Sequence, residues 1–299
     1  MSEFHTSQAG QGTGLATVAK PRSIGDILVA NGRLSTEDLQ RILAQSREDK
    51  VNFGEAAIAL KLLTQDDIDF ALSKQFDYSY LSPTDSSLSP SLVAAYKPFS
   101  RVGENLRAVR SQLMLRWFNG DPSRKILSIV SAGSGDGKSF IAANLAIVFA
   151  QQGERTLLID GDLRTTQDTG QQAQFKLGRN AGLSGILAGR AGMDVAQQVP
   201  GLPGLSVITA GAVPPNPQEL LGRPAFGQLL MAASTEFDVV LIDTPNGGDY
   251  ADAEVIAARA GAGLLVTRVN QSRIPQASQF SRRLQDGGVS LVGSVFNDA

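Results

Sequence analysis

The chain has 299 residues and a formal net charge of −2, so it is longer than one small domain and has no basic excess that would favour nucleic acid as a partner. Its 42% hydrophobic and 19% charged residues are typical of a globular protein with a sizeable core. The lack of cysteine excludes disulfides, thiol nucleophiles and Cys-ligated zinc, and a single histidine, His5, excludes His-based triads. Any chemistry must therefore use carboxylates, Lys, Arg, Ser, Thr or a metal ion with oxygen ligands.

Membrane and targeting signals are not evident in the sequence. The most apolar runs are strand-sized, far short of the roughly 20 residues that a spanning helix needs. Residues 1–18 lack a basic cluster followed by an apolar core, which is the pattern of a signal peptide. We therefore expect a cytoplasmic protein.

The amino-terminal part of the chain combines a polar tail with a duplication. Residues 1–20 are rich in Gly, Ser, Thr and Gln, which favours a flexible tail. Residues 21–80 contain a repeat with a spacing of 29 positions, and each copy has a capping-box-like start to its second helix. The matched pairs are Gly25 and Gly54, Asp26 and Glu55, Leu34 and Leu63, Ser35 and Thr64, Asp38 and Asp67, and Leu43 and Leu72. The repeat predicts a small helical module of four helices.

The rest of the chain divides into a linker and a larger domain. Residues 81–99 are dense in Pro and Ser, which is typical of an interdomain linker. Residues 100–299 alternate apolar runs with helical patterns. The predicted strands are residues 126–131, 156–160, 205–209, 238–243, 263–269 and 291–296, and the predicted helices include 140–152, 224–234, 251–260 and 275–285. This pattern predicts an α/β fold with a mostly parallel sheet covered by helices.

A glycine-rich segment lies between the first of these strands and the helix that follows it. Apart from Ala132 in place of a glycine, it has the spacing of the phosphate-binding loop of nucleoside triphosphatases. Backbone N–H groups and the helix N-terminus would hold the phosphates of ATP, Lys138 would reach the β and γ phosphates, and the Ser139 hydroxyl would bind Mg²⁺. The predicted cofactor-binding residues are Gly133, Ser134, Gly135, Asp136, Gly137, Lys138, Ser139 and Phe140.

Three carboxylates follow two other predicted strands. Asp160 and Asp162 come after one strand and Asp243 ends another, at the sheet edge where open α/β proteins bind ligands. A lone aspartate there is more often a cap or turn residue, but three beside a phosphate loop indicate a site. One would hold Mg²⁺ directly or through water, and another would orient or deprotonate an attacking hydroxyl.

The same residues resemble a known family, the bacterial protein tyrosine kinases that regulate exopolysaccharide export. The segments that carry the resemblance are 132–139, 142–146, 159–164 and 241–245, with further similarity at 182–189 and 211–221. The resemblance implies that Asp160 lies near the metal and serves as a candidate base for a tyrosine hydroxyl. Asp162 would be its partner, and Asp243 the second carboxylate on the metal side. It also implies a membrane-embedded polysaccharide co-polymerase or activator as partner, which would hold the protein peripherally at the inner face of the membrane.

Other positions refine this resemblance. Gly133 stands where dimeric partitioning ATPases carry a signature lysine, which favours the kinases. Glu104, Arg107 and Arg110 are similar to the family's oligomerisation motif and share one face of a helix, so they indicate a homo-oligomer or else a solvated helix face. Asn297, at the end of the last strand, is a candidate contact to the nucleotide base.

The sequence departs from the family in its tyrosines. Family members usually end in a tyrosine cluster that is phosphorylated, whereas here the tyrosines are Tyr78, Tyr80, Tyr96 and Tyr250, the first three expected in packing or linker positions. The main hypothesis is a Mg²⁺-dependent tyrosine autokinase and ATPase. The first alternative is an ATP-binding switch that controls assembly of an export or secretion complex without phosphorylating protein. The second is a regulatory binding module whose larger domain serves only to oligomerise.

The duplicated module resembles a different family, the N-terminal domain of type II secretion and pilus ATPases, whose paired helical motifs can bind cyclic di-GMP. The motif has Ser23 and Asn52 where an arginine is expected, and Lys61 in place of a glycine. Residues 23–75 are therefore a candidate for cyclic di-GMP binding or, alternatively, a protein docking module, because apolar helical repeats more often form a core than a ligand site.

Overall fold

The computed structural model describes residues 23–75, 81–82, 85–165 and 169–298. The chain divides into two compact units, Met1–Phe76 and Asp77–Ala299. Among the described helices, none has the length and apolar character required to cross a membrane.

The described part of the first unit is all helical, as the repeat predicts. Its helices are α1 (Ile24–Ala30), α2 (Thr36–Asp49), α3 (Phe53–Ala59) and α4 (Gln65–Gln75). Capping residues fix where they start: the Ser35 hydroxyl accepts from the Asp38 N–H at 3.0 Å, and the Asn52 side chain accepts from the Glu55 N–H at 2.9 Å.

The buried residues of this unit follow the 29-residue spacing. Ile27 and Ala56, Leu28 and Ala57, Leu34 and Leu63, and Ile42 and Ala71 are buried pairs related by the repeat. The turn after the first helix of each copy is also related, because Gly32 and Lys61 both have positive φ, 69° and 54°. Lys61 therefore adopts the left-handed conformation that glycine adopts in the other copy. The two sequence repeats therefore bury equivalent positions and share an equivalent turn.

The described part of the second unit is a seven-stranded sheet with helices on both faces. The strands are β1 (Ile126–Val130), β2 (Thr156–Asp160), β3 (Gln197–Gln198), β4 (Leu205–Ile208), β5 (Val239–Asp243), β6 (Ala262–Arg268) and β7 (Ser290–Asn297). Their order is β3-β4-β2-β5-β1-β6-β7, and every pairing is parallel except β3 with β4. The α/β prediction is confirmed, and the one strand that it missed, β3, is two polar residues long.

The remaining helices cover this sheet or lie at its edges. They are α5 (Val93–Tyr96), α6 (Arg101–Arg116), α7 (Lys138–Ala150), α8 (Gln171–Gln174), α9 (Gly182–Leu187), α10 (Pro217–Gly222), α11 (Pro224–Glu236), α12 (Asp252–Ala260) and α13 (Ile274–Asp286). Successive residues of the central strands point to opposite faces, so Leu158 and Leu241 join the core under α7 while Leu157 and Val240 join the core under α11. Burial on both faces explains why these strands are continuously apolar.

Residues 81–99, expected as a linker, are instead partly built into the second unit. Leu81, Leu88 and Leu92 are buried in the core cluster that also contains α7. Asn144 of α7 fixes this segment, since its Oδ1 accepts from the Ala94 N–H at 2.9 Å and its Nδ2 donates to the Ser91 carbonyl at 3.2 Å. Proline and serine break regular structure here, but the leucines between them pack. We call the described residues of this segment, 81–82 and 85–98, the packed arm.

Candidate functional site

The phosphate-loop segment forms a tight turn between β1 and α7. Gly135 and Gly137 have φ of 77° and 94°, in the left-handed region that side chains rarely adopt. A Cβ on Gly137 would lie 2.1 Å from Nδ2 of Asn297, so any other residue there would displace the Asn297 amide as well as adopt a strained backbone. Helix α7 starts at Lys138 directly after this glycine, which places its N-terminal backbone N–H groups at the loop. The geometry is that of an anion cradle.

Hydrogen bonds from a side chain of the loop itself and from a side chain of the last strand fix the loop conformation. The Asp136 carboxylate is buried and accepts from the Gly133 N–H at 3.0 Å and from the Ser272 hydroxyl at 2.6 Å. The Asn297 amide donates to the Asp136 carbonyl at 3.1 Å. Asp136 and Asn297 therefore shape the loop, and the contact of Asn297 with a nucleotide base stays a prediction.

The end of β6 and the connection after it supply two further contacts to the loop, which sequence reasoning missed. The Arg268 guanidinium donates to the Gly135 carbonyl at 3.2 Å, and the Gln271 amide donates to the Ser134 carbonyl at 3.3 Å. These residues belong to no motif, and the only signal was their place after a strand at the same sheet edge.

Lys138 is buried beside the loop. Its side chain is directed to the strand end, where Nζ donates to the Ser131 hydroxyl at 3.0 Å. Burial lowers the pKa of Lys138, while the carboxylates of Asp243, Asp136 and Asp162 oppose that shift. The next two residues differ in placement: Ser139 lies beside the carboxylate of Asp243, whereas the Phe140 side chain packs against the core.

The two aspartates that end β2 and β5 lie next to each other in the sheet. Asp160 and Asp243 are register partners on the parallel pair β2 and β5. Asp160 accepts backbone N–H bonds from Gln171 at 2.8 Å and from Asp162 at 3.2 Å. Asp243 accepts from the Gln171 side-chain amide at 2.7 Å. One residue, Gln171, thus donates to both carboxylates.

Gln171 itself was not predicted from the sequence. It is fully buried at the start of the four-residue helix α8, and its Nε2 also donates to the Ser139 carbonyl at 3.1 Å. It lies 11 positions after Asp160, in a segment with no motif, so only the tertiary fold reveals its role.

Burial and mutual repulsion raise the pKa of both carboxylates. Desolvation, followed by repulsion from Asp243, raises the pKa of Asp160 to about 8. Desolvation raises the pKa of Asp243 to about 6, and the Ser139 hydroxyl, the Gln171 amide and the Lys138 ammonium limit that rise. Both carboxylates therefore hold a proton more tightly in the free chain than an exposed aspartate does.

Asp162 belongs to a second group of contacts beside this pair. Its carboxylate accepts from the Thr165 hydroxyl at 2.6 Å and from the Arg164 N–H at 3.1 Å. The Arg164 guanidinium forms a bidentate ion pair with the buried Asp252, at 2.7 and 3.1 Å, and lies 3.8 Å from the ring centre of Tyr250. The predicted third carboxylate is thus held in a turn that α12 anchors.

The site has unpaired buried oxygens that suit a divalent cation. Asp243 Oδ1 and Gln171 Oε1 are buried and accept no hydrogen bond from any described residue. Carboxylate, amide and hydroxyl oxygens are the ligands that Mg²⁺ prefers. No group of three or more His, Cys, Asp or Glu residues suited to a metal occurs in the described part of the chain. A Mg²⁺ ion here would therefore need Ser139 and oxygens of a bound phosphate as well as the carboxylates.

The predicted oligomerisation motif lies on α6 and contacts its own unit. Arg107 donates to the Pro98 carbonyl at 2.5 Å and pairs with Glu104, and Arg110 donates to the Val148 carbonyl at 2.9 Å. The Glu104 side chain is 71% exposed. Both arginines thus help to fix α6, and the oligomerisation role of the motif stays a prediction.

Two of the four tyrosines can be placed. Tyr96 is buried, and its hydroxyl donates to the Leu88 carbonyl at 3.0 Å, as expected of a packing residue. Tyr250 is 45% exposed on the loop after β5. Tyr78 and Tyr80 lie outside the described residues.

Comparison with known proteins agrees with this geometry. Residues 127–298 match the family model described as the CobQ/CobB/MinD/ParA nucleotide binding domain. The chain is 35% identical over 212 residues to the tyrosine-protein kinase YwqD of Bacillus subtilis, which covers 71% of this chain and 87% of YwqD. It is also 35% identical over 205 residues to the tyrosine-protein kinase Etk of Escherichia coli K12, which covers 69% of this chain but only 28% of Etk.

The kinase domain of E. coli Etk is also among the similar solved structures. It superposes with a TM-score of 0.66 at 34% identity and covers 73% of this chain and 84% of that domain. The match supports the resemblance to the kinases that the motifs indicated, whereas the resemblance of residues 23–75 to secretion ATPases stays a prediction. The chain belongs to the bacterial tyrosine-protein kinases and contains the CobQ/CobB/MinD/ParA nucleotide-binding domain.

Proposed function

We propose that this chain transfers the γ-phosphoryl group of Mg²⁺-bound ATP to a tyrosine hydroxyl. One observation carries the proposal: a glycine-built loop that leads into Lys138 and α7 lies beside the register-paired carboxylates Asp160 and Asp243. Phosphoryl transfer needs phosphate binding, neutralisation of charge and an oriented nucleophile, and these residues supply all three.

Each residue has a defined part in the proposed reaction. The loop amides and Lys138 bind the β and γ phosphates. Ser139, Asp160 and Asp243 would hold Mg²⁺, which when bound neutralises charge on the phosphate oxygens. Asp160, which would be ionised when it lies beside bound Mg²⁺, is the candidate base that accepts the proton of the tyrosine hydroxyl. The tyrosyl oxygen then bonds to the γ phosphorus, and ADP leaves.

The wider setting follows from the family. We propose that the kinase acts in exopolysaccharide production or export, as a homo-oligomer bound to a membrane co-polymerase or activator. The kinase relatives support this setting, and a co-purification of the tagged full chain with membrane fractions of its own cells tests it.

Incubation of the full chain with radiolabelled ATP and Mg²⁺ tests the proposed reaction. Wild type is expected to transfer label to tyrosine, on itself or on an added tyrosine peptide. Lys138→Met should reduce the transfer by roughly 100-fold or more, the usual effect of removing a charge-stabilising group. An exposed lysine of the first unit, Lys50→Met, is the matched control and should keep wild-type activity.

The two contrary outcomes are distinct. Hydrolysis of ATP without label on any tyrosine would refute the kinase and leave an ATP-dependent switch. Failure to bind ATP at all would refute both.

A further inference from the structure

A cavity of about 500 Å³ opens beside the candidate site and contains none of its residues. It lies between α9 and the loop that follows β4. Two arginines, Arg190 and Arg223, line it, and none of its lining residues is acidic. We call it the Arg190–Arg223 cavity.

Close backbone packing builds the floor of this cavity. The Leu183 N–H donates to the Thr209 carbonyl at 2.8 Å, and the Ser184 N–H donates to the Ala210 carbonyl at 3.0 Å. Gly211 has φ of 80°, and a Cβ there would lie 2.2 Å from the Ala181 carbonyl oxygen. The two backbone segments can come this close only because residue 211 is glycine, and the two hydrogen bonds hold them together. The cavity is therefore already formed in the free chain.

The position of the cavity relates it to Asp160. Ile159 of β2 and Ile208 of β4 are register partners, so Asp160 and Thr209 follow on adjacent strands that are about 5 Å apart. Asn180, which lines the cavity, accepts from the Thr209 hydroxyl at 3.1 Å. Because β2 lies between β4 and the strands that lead to the phosphate loop, Asp160 lies between that loop and the cavity. A molecule in the cavity would therefore lie on the β4 side of Asp160, opposite to the phosphate loop along the sheet.

The chemistry of the lining selects a class of molecule. Arg190 and Arg223 are exposed, and neither forms an ion pair with a described residue. Guanidinium groups bind carboxylates and phosphates with two parallel hydrogen bonds. The rim is apolar, with Pro214, Pro215 and a Val213 side chain that is 52% exposed. Positive charge next to an apolar rim suits an acidic polypeptide better than a small anion, which would leave the rim uncovered.

We propose that the Arg190–Arg223 cavity binds acidic residues that flank the acceptor tyrosine of a polypeptide substrate. The inference rests on the proposed kinase function, since it assigns the substrate side of the same reaction. It makes Arg190 and Arg223 specificity-determining residues.

Kinetics of the full chain with two matched peptides test the proposal. One peptide has glutamates on both sides of a single tyrosine, and the other has glutamines at those positions. Arg190→Gln with Arg223→Gln should raise KM for the glutamate peptide by roughly 10-fold or more, equivalent to about 1.4 kcal/mol, and leave KM for ATP unchanged. Arg282→Gln, an exposed arginine on α13, is the control and should behave as wild type. An unchanged KM in the double variant, or an equal rise for the glutamine peptide, would overturn the proposal.

Binding without catalysis separates this proposal from the kinase itself. Anisotropy of the fluorescein-labelled glutamate peptide is measured in the Lys138→Met background, with and without the two arginine substitutions. If the glutamate peptide binds more tightly to the Lys138→Met protein than to the protein that also has the two arginine substitutions, the result supports the cavity. This holds even if wild type transfers no label, because the absence of transfer would refute only the kinase. Equal binding by both proteins, in a chain that does phosphorylate tyrosine, would refute only the cavity.

Discussion

Asp243 makes the stability of the second unit depend on pH. Its pKa rises from 3.8 in the unfolded chain to about 6 on burial, so the folded state keeps a proton that the unfolded state loses. Stability therefore falls as pH rises from about 4 to about 6, and this contribution is then constant. Asp243→Asn removes the effect and keeps an oxygen that accepts from Gln171.

The expected result concerns the metal- and nucleotide-free chain. Between pH 4 and pH 7 the unfolding free energy of Asp243→Asn should rise relative to wild type by roughly 1–3 kcal/mol, since one pKa unit corresponds to about 1.4 kcal/mol. Urea unfolding at both pH values measures the difference. A difference that is the same at both pH values would contradict this cause.

Gln171 is expected to position both carboxylates for the reaction. Gln171→Leu removes the donor to Asp243 and to the Ser139 carbonyl but keeps the backbone N–H that binds Asp160. We expect kcat to fall by roughly 10-fold or more, about 1.4 kcal/mol, with a smaller change in KM for ATP. Gln172→Leu is the control, because Gln172 is buried next to it without a hydrogen bond to either carboxylate. Equal effects of the two substitutions would show that Gln171 serves packing alone.

At the scale of elements, the strand ends were predictable and the connections were not. Lys138 could be placed from the sequence because it ends the glycine-rich loop motif. Asp160 and Asp243 could be placed because each ends an apolar run, and parallel strands bring such ends to one edge. Gln171 reaches the site through a connection whose path depends on tertiary packing. Arg268 ends a predicted strand but belongs to no motif, so local pattern singled out neither residue.

The packed arm is a second case in which local sequence pattern did not predict the tertiary contacts. Its prolines and serines predicted a linker, since they prevent long helices. The short helix α5 and isolated leucines such as Leu88 and Leu92 nevertheless find buried positions against α7. The composition of such a segment predicts that its backbone forms no long helix or strand. Whether its side chains are buried depends on α7, which lies elsewhere in the sequence.

Asn144 is expected to be the residue that fixes the packed arm. It is fully buried and bonds both the Ala94 N–H and the Ser91 carbonyl. Asn144→Ala leaves these groups unpaired and should lower the unfolding free energy by about 1–3 kcal/mol. Limited proteolysis within residues 85–95 should become faster than in wild type. Gln152→Ala, an exposed position just after α7, is the control, and equal protection of the arm in both variants would contradict the assignment.

At the scale of the whole molecule, the core of the first unit is separate from the core clusters of the second unit, which indicates two folding units. The buried cluster of the first unit, with the residues packed against it, contains only residues 24–72. The match to the nucleotide-binding family covers residues 127–298, which lie within the second unit. Nucleotide binding should therefore depend on the core clusters of the second unit alone, whatever ligand or partner the first unit takes.

Ile42→Ala in the full chain tests this division. Ile42 is fully buried in α2, and its truncation should cost about 2–5 kcal/mol, a large part of the stability of so small a unit. Thermal unfolding followed by circular dichroism should show two transitions, of which Ile42→Ala lowers one and added Mg²⁺-ATP raises the other. Leu157→Ala, fully buried in β2, is the matched control and should lower the transition that responds to nucleotide. If Ile42→Ala weakens the binding of ATP, or if wild type unfolds in one transition, the two units do not fold independently.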